Sequence, residues 1–137
     1  MQLLLAAVCD DAQLNAQGKL DVHGVFNDLY APGFPAKQDR MVLVLVIEWD
    51  RDDQGRYQFR VDLEGPDGKP SISLNGHSEV DQRPADRPPP RTRMVMPLEE
   101  VVFPQPGPYQ FKVTMKGQVL PGPSLYLVES DEVPAVS

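Results

Sequence analysis

Disulfide chemistry is closed to this sequence, because Cys9 is its only cysteine. A lone thiol supplies no intramolecular staple, so a reducing, cytoplasmic setting is expected. Histidine is nearly as scarce: His23 and His77 are the only two in 137 residues, and any histidine-based hydrolytic centre would have to be built around one of those rings. Basic residues are a minority, 13 against 20 acidic ones for a net charge of −7. A chain so charged repels phosphate backbones and anionic bilayers, so neither nucleic acid nor membrane is an expected partner. Long apolar runs are missing too, none approaching the roughly 20 residues of a membrane helix. Residues 3–8 ahead of Cys9 superficially resemble the end of a lipoprotein signal. They lack a preceding basic segment and place Val8 where a small residue belongs, so a first strand carrying a buried thiol is the expectation.

What is plentiful is proline, 15 residues in all. Proline is kept out of helix interiors and central strands, and this abundance points to short strands bounded by loops and edges. Tyr109, Phe111, Val113 and Met115 alternate with Gln110, Lys112, Thr114 and Lys116 before Gly117, the two-residue period of a half-buried strand. Tyr57, Phe59, Val61 and Leu63 alternate in the same way, and Gly65-Pro66-Asp67-Gly68 follows them as a hairpin turn. The run Met41-Val42-Leu43-Val44-Leu45-Val46-Ile47 has no polar interruption and reads as a central strand covered on both faces, with Trp49 as a core anchor. Residues 2–9 and 19–30 read as the first two strands. Residues 98–103 read as a helical turn, and residues 119–128 as the closing strand, whose Tyr126 and Val128 could face another subunit across an open edge. The sum is an all-β, antiparallel sandwich of about seven or eight strands over residues 1–128, with an acidic, flexible tail at 129–137.

Gly107-Pro108-Tyr109-Gln110-Phe111 looks like the start of strand F in immunoglobulin-like sandwiches, where a tyrosine hydroxyl anchors a corner two residues before a core position. With Gly18-Lys19-Leu20, Gly24-Val25-Phe26 and the closing Pro106-Gly107-x-Tyr109-x-Phe111, nearly the whole chain resembles a family of small bacterial proteins of unknown function. The resemblance implies an immunoglobulin-like sandwich and transfers no catalytic residue.

Candidate chemistry is thin. Glu48, Asp50, Asp52 and Asp53 crowd a loop near Gly55, and hard cations take several oxygens from such loops. The closing glutamate of a calcium loop would fall at Val61, however, so Asp50, Asp52 and Asp53 are weak metal candidates and a solvated turn is the expectation. Cys9, His23 and Asp21 could lie close across the first strand pair, but an apolar strand does not activate a thiol. Gly65 to Lys69 lacks the spacing and hydroxyl of a phosphate loop. No catalytic residue and no cofactor is expected.

Arg83, Arg87, Arg91 and Arg93 sit among Pro84, Pro88, Pro89 and Pro90 in residues 81–93. Arginine forks on a stiff polyproline-like loop can grip carboxylates, phosphates or an acidic protein face with little entropy lost, although such a loop can also merely bridge two strands. Aromatic residues that would stack bases are missing from it. The expected function is a non-enzymatic protein-interaction or assembly module, with a protein partner or a second copy bound. A ligand- or cation-binding domain using residues 48–55 is the alternative.

Overall fold

The computed structural model describes residues 1–131. The apolar run expected to be central forms the middle of β4 (Ala36–Glu48), which lies between β1 (Gln2–Leu14) and β7 (Arg91–Phe103), with β2 (Leu20–Val25) outside β1. The second sheet runs in the order β3 (Asp28–Ala31), β9 (Gln118–Glu129), β8 (Gly107–Met115), β5 (Gly55–Glu64) and β6 (Pro70–Val80). Nine strands in two sheets therefore replace the expected seven or eight, and among the described residues there is no helix.

The alternation rules place the core. Met41, Leu43, Leu45 and Ile47 of β4 meet Val61, Leu63, Tyr109, Phe111, Val113 and Met115 of the facing sheet in one buried cluster. Val42 and Val44 point the other way and are equally inaccessible, packed with Cys9 and Ala12 and flanked by Leu20, Val22 and Val95. That second cluster explains why the 41–47 run within β4 carries no polar residue at either parity.

Three expectations need correction. The segment read as one strand at 19–30 is two strands in different sheets: Phe26 N–H donates to Val8 O at 3.0 Å on one side, and Tyr126 N–H to Asn27 O at 2.8 Å on the other. Gly24, at φ 69°, turns the chain before the crossing, and a Cβ there would overlap the Asp10 carboxylate. Phe26 accordingly packs against the main core, and Leu20 and Val22 against the smaller cluster.

Residues 98–103 continue β7 rather than forming a helical turn, pairing with β4 from Met41↔Leu98 to Ala36↔Phe103. Glu100 has φ 52°, and the inward positions change parity across it, from Met94 and Leu98 to Val101 and Phe103. The resulting three-residue spacing of Leu98 and Val101 imitates a helical period.

The sheets are not wholly antiparallel either, because β3 pairs with β9 in parallel, from Asp28↔Tyr126 to Ala31↔Glu129. It covers the part of β9 expected to be an open edge: Tyr126 remains exposed and Val128 is half-buried. Pairing reaches past residue 128, since Ser130 N–H donates to Ala31 O at 2.8 Å. The rest of the expected tail, residues 132–137, lies outside the described residues. Among the described residues no helix is long and apolar enough to cross a membrane.

Candidate interaction surface

The end of the sandwich after β4 carries both charged segments singled out in the sequence. Trp49, 2% exposed, stacks on Tyr57 with ring centroids 4.8 Å apart, and its Nε1–H donates to Thr92 Oγ1 at 2.8 Å. Thr92 Oγ1 also lies 3.1 Å from Ser78 Oγ. The indole N–H thus keeps a partner inside the core, as burial of so large an amphipathic ring requires. Trp49 N–H donates to Pro90 O at 2.8 Å, tying the acidic turn to the end of the proline-rich loop.

Asp50 and Asp53 converge, but on an internal cation. Lys116 Nζ reaches both Asp53 carboxylate oxygens at 2.8 Å and Asp50 Oδ2 at 3.2 Å, while the Met1 ammonium meets Asp50 Oδ1 at 2.7 Å. Asp53 also caps the turn, accepting from Asp50 N–H at 2.9 Å. The Met1 ammonium, then Lys116, hold the Asp50 carboxyl below its ordinary value. Burial pushes the Asp53 carboxyl up, but the Lys116 ammonium and the Asp50 N–H outweigh it and the net direction is down. The Lys116 ammonium is correspondingly pushed up, chiefly by its bond to Asp53. Asp52 is exposed and joins neither carboxylate. Among the described residues no group of three or more metal-ligating side chains forms. The positive charge these carboxylates hold is an ammonium of the same chain.

The arginine loop is built differently. Its backbone is fixed: Arg87 N–H donates to Pro84 O at 3.0 Å, and Arg51 reaches over to donate to Arg87 O at 2.8 Å and Ala85 O at 3.5 Å. Pro90 is buried, and β7 begins at Arg91. The four arginines do not act alike. Arg91 is held by Glu48, Nε to Oε2 at 3.1 Å. Arg83, Arg87 and Arg93 are exposed and make no ion pair among the described residues. Arg83 and Arg91 line one shallow, polar cleft of about 130 Å³ with Glu79, Asp81 and Thr92. Arg93 lies two residues beyond Arg91 on the same strand, opposite Val46 of β4. The structure therefore brings Arg83, Arg91 and Arg93 to one margin, fixes the Arg87 main chain beside it, and spends one of the four charges on Glu48.

The thiol and the histidines are not brought together. Cys9 stands opposite Val25, whereas His23 stands opposite Asp11. Cys9 Sγ–H points at the carbonyls of Asp11, 3.4 Å, and Val42, 3.6 Å, and burial pushes the thiol up, away from a nucleophilic thiolate. His77 lies on β6, its Nδ1 3.1 Å from Arg56 Nη2.

At the far end, Tyr109 Oη–H donates to Gln105 O at 2.7 Å and accepts from Gln105 N–H at 3.3 Å. A family profile, described as Family of unknown function (DUF6941), matches residues 4–128. The chain belongs to that family. No curated protein matches it. The DUF6941 match takes in the Trp49 network, the Lys116 ion pairs and the whole of the loop at 81–90, so these features lie inside the family's domain.

What sequence reasoning missed is Lys116 and Arg51. Lys116 reads as the last solvent-facing position of the alternating strand, whereas it lies in the turn after β8 with φ 52°. No local signal reveals its reach to Asp50, which is 66 residues away.

Proposed function

We propose that this chain is a non-enzymatic protein-interaction module in which the loop at residues 81–90, with Arg93 at the foot of β7, grips an acidic segment of a partner protein. The observation that carries the reading is the set of three guanidiniums, Arg83, Arg87 and Arg93, with no ion pair among the described residues, on a chain with more acids than bases. Arginines that only stabilised this fold would be drawn to those carboxylates, as Arg91 is to Glu48. A planar fork held on a fixed backbone binds a carboxylate in bidentate fashion with little ordering cost. Arg51 supplies that fixity through the Arg87 carbonyl.

The same reading takes the fold as immunoglobulin-like. The order β1-β4-β7 opposite β9-β8-β5-β6 is supportive if these strands are read as A-B-E and G-F-C-C′. Tyr109 then sits at the start of strand F with its hydroxyl on the preceding corner. The buried tryptophan departs from that pattern by following the second strand of the set rather than lying on the third. Domains of this architecture commonly present end loops to partners, which agrees with a loop-borne site.

The test is affinity capture from host lysate by the intact chain and by an Arg83→Ala, Arg87→Ala, Arg93→Ala variant, each washed at low and high salt. Proteins retained by the intact chain, released by salt and lost by the variant are the expected result. An identical captured set from both would refute the assignment.

A further inference from the structure

Open strand edges invite pairing with another chain, and proteins blunt them with proline, bulges or brevity. Most open edges here are blunted. Strand β2 has six residues and Gly24 at φ 69°. Strand β3 has four residues and is followed by Pro32. Strand β7 carries Pro97 and the positive φ of Glu100. The part of β9 beyond the reach of β3 holds Pro121 and Pro123, and β1 shifts register between Leu3 and Leu5. Strand β6 has none of these devices from residue 72 to 80: it pairs with β5 without interruption, contains no proline or lysine there, and has no positive φ.

We propose that β6 is a docking edge for a second copy of this chain, paired antiparallel about a two-fold axis at Gly76. That register uses the whole unguarded segment. It sets Ile72 opposite Val80 and Leu74 opposite Ser78 on the core side, with Asn75 opposite His77 and Ser73 opposite Glu79 on the outer side. No like charges face each other. Glu79 is exposed and makes no ion pair among the described residues, while Ser73 lies 3.4 Å from Arg60 Nη2 and donates to Asp62, the carboxylate that Arg60 already pairs with, so pairing carries each Glu79 toward the Arg60–Asp62 pair of the other copy. Gly76 suits the axis because the Phe59 ring already lies where a side chain would go, 2.6 Å from an added Cβ. The pairing would join two five-stranded sheets into one of ten. It does not depend on the arginine loop.

The experiment is sedimentation velocity on the full chain across micromolar to millimolar concentration, with two charge variants. Asn75→Lys with His77→Lys opposes ammonium groups across the axis, and Asn75→Glu with His77→Glu opposes carboxylates. A reversible dimer of the unaltered chain is expected, with each variant alone dissociating roughly a hundredfold more readily, since opposed like charges cost several kcal/mol. An equimolar mixture of the two should restore a dimer, a gain that a merely misfolded variant cannot produce. A chain monomeric at the highest concentration, a dimer unaffected by either variant, or a mixture that stays monomeric would each overturn the proposal.

Discussion

The acidic turn and the arginine loop meet at the same end of the molecule, and they use charge in opposite ways. In the turn, Asp50 and Asp53 close on Lys116, and Glu48 next to the turn closes on Arg91. In the loop, only the main chain is tied down, through Arg51, while Arg83 and Arg87 are left with no ion pair among the described residues. Neutralised charge belongs to folding. Charge left uncompensated on a fixed main chain is available to a partner, which is why the loop and not the denser acidic cluster carries the functional reading.

The contrast breaks most sharply at Lys116. Lys116→Met removes the cation from a nearly buried Asp53 and should destabilise the fold by about 2–3 kcal/mol in urea titration, the scale for hydrogen bonds to charged groups left unmade. A loss below about 0.5 kcal/mol, ordinary for a surface site, would remove the distinction between turn and loop.

The pH dependence sharpens it. Asp50 and Asp53 are held low, so their stabilisation is present above the unfolded carboxylate value of about 3.9 and is lost as pH falls through the lower folded values. Lys116 is pushed up, so its share is present below about 10.4 and is lost as pH rises through the higher folded value. The gap in melting temperature between the unaltered chain and Lys116→Met should therefore be widest between those limits and close beyond both. A gap constant with pH would contradict the ion-pair account.

Arg51→Ala is expected to cost less, about 0.5–1 kcal/mol, and to act locally. Amide exchange at Arg87, bonded to Pro84, should accelerate while the β4 amides hold their protection. The smallest effect on stability belongs to Arg83→Ala, Arg87→Ala and Arg93→Ala together, within about 0.5 kcal/mol by thermal melt. Partner capture should nevertheless disappear, and a triple variant that melted several degrees lower would move these arginines into the structural class.

Much of the fold was legible where one residue's burial follows from its immediate neighbours. The alternation of Tyr57 to Leu63 and of Tyr109 to Met115, the unbroken apolar run of β4 and the turn at Gly65 to Gly68 all appear where the pattern puts them. The failures share a cause. Glu100 changes which parity faces inward, and the crossing between Phe26 and Asn27 hands the chain from one sheet to the other. Each resets the period within a segment that local reading treats as continuous. The candidate surface was half legible for a related reason. Composition marked the arginines and the acids, but which arginine is consumed by Glu48, and which lysine closes the acidic turn, depends on partners 43 and 66 residues away.

The crossing at Phe26 and Asn27 has a mechanical consequence. Along that margin the two layers are bound as by the spine of a book, with one peptide linkage between a residue bonded into the first sheet and a residue bonded into the second. At the opposite margin, where β6 lies beside β7, the layers are joined through a loop of ten residues. Of the connections that cross between the two layers, the one at the spine is therefore the shortest and the one at the fore-edge the longest.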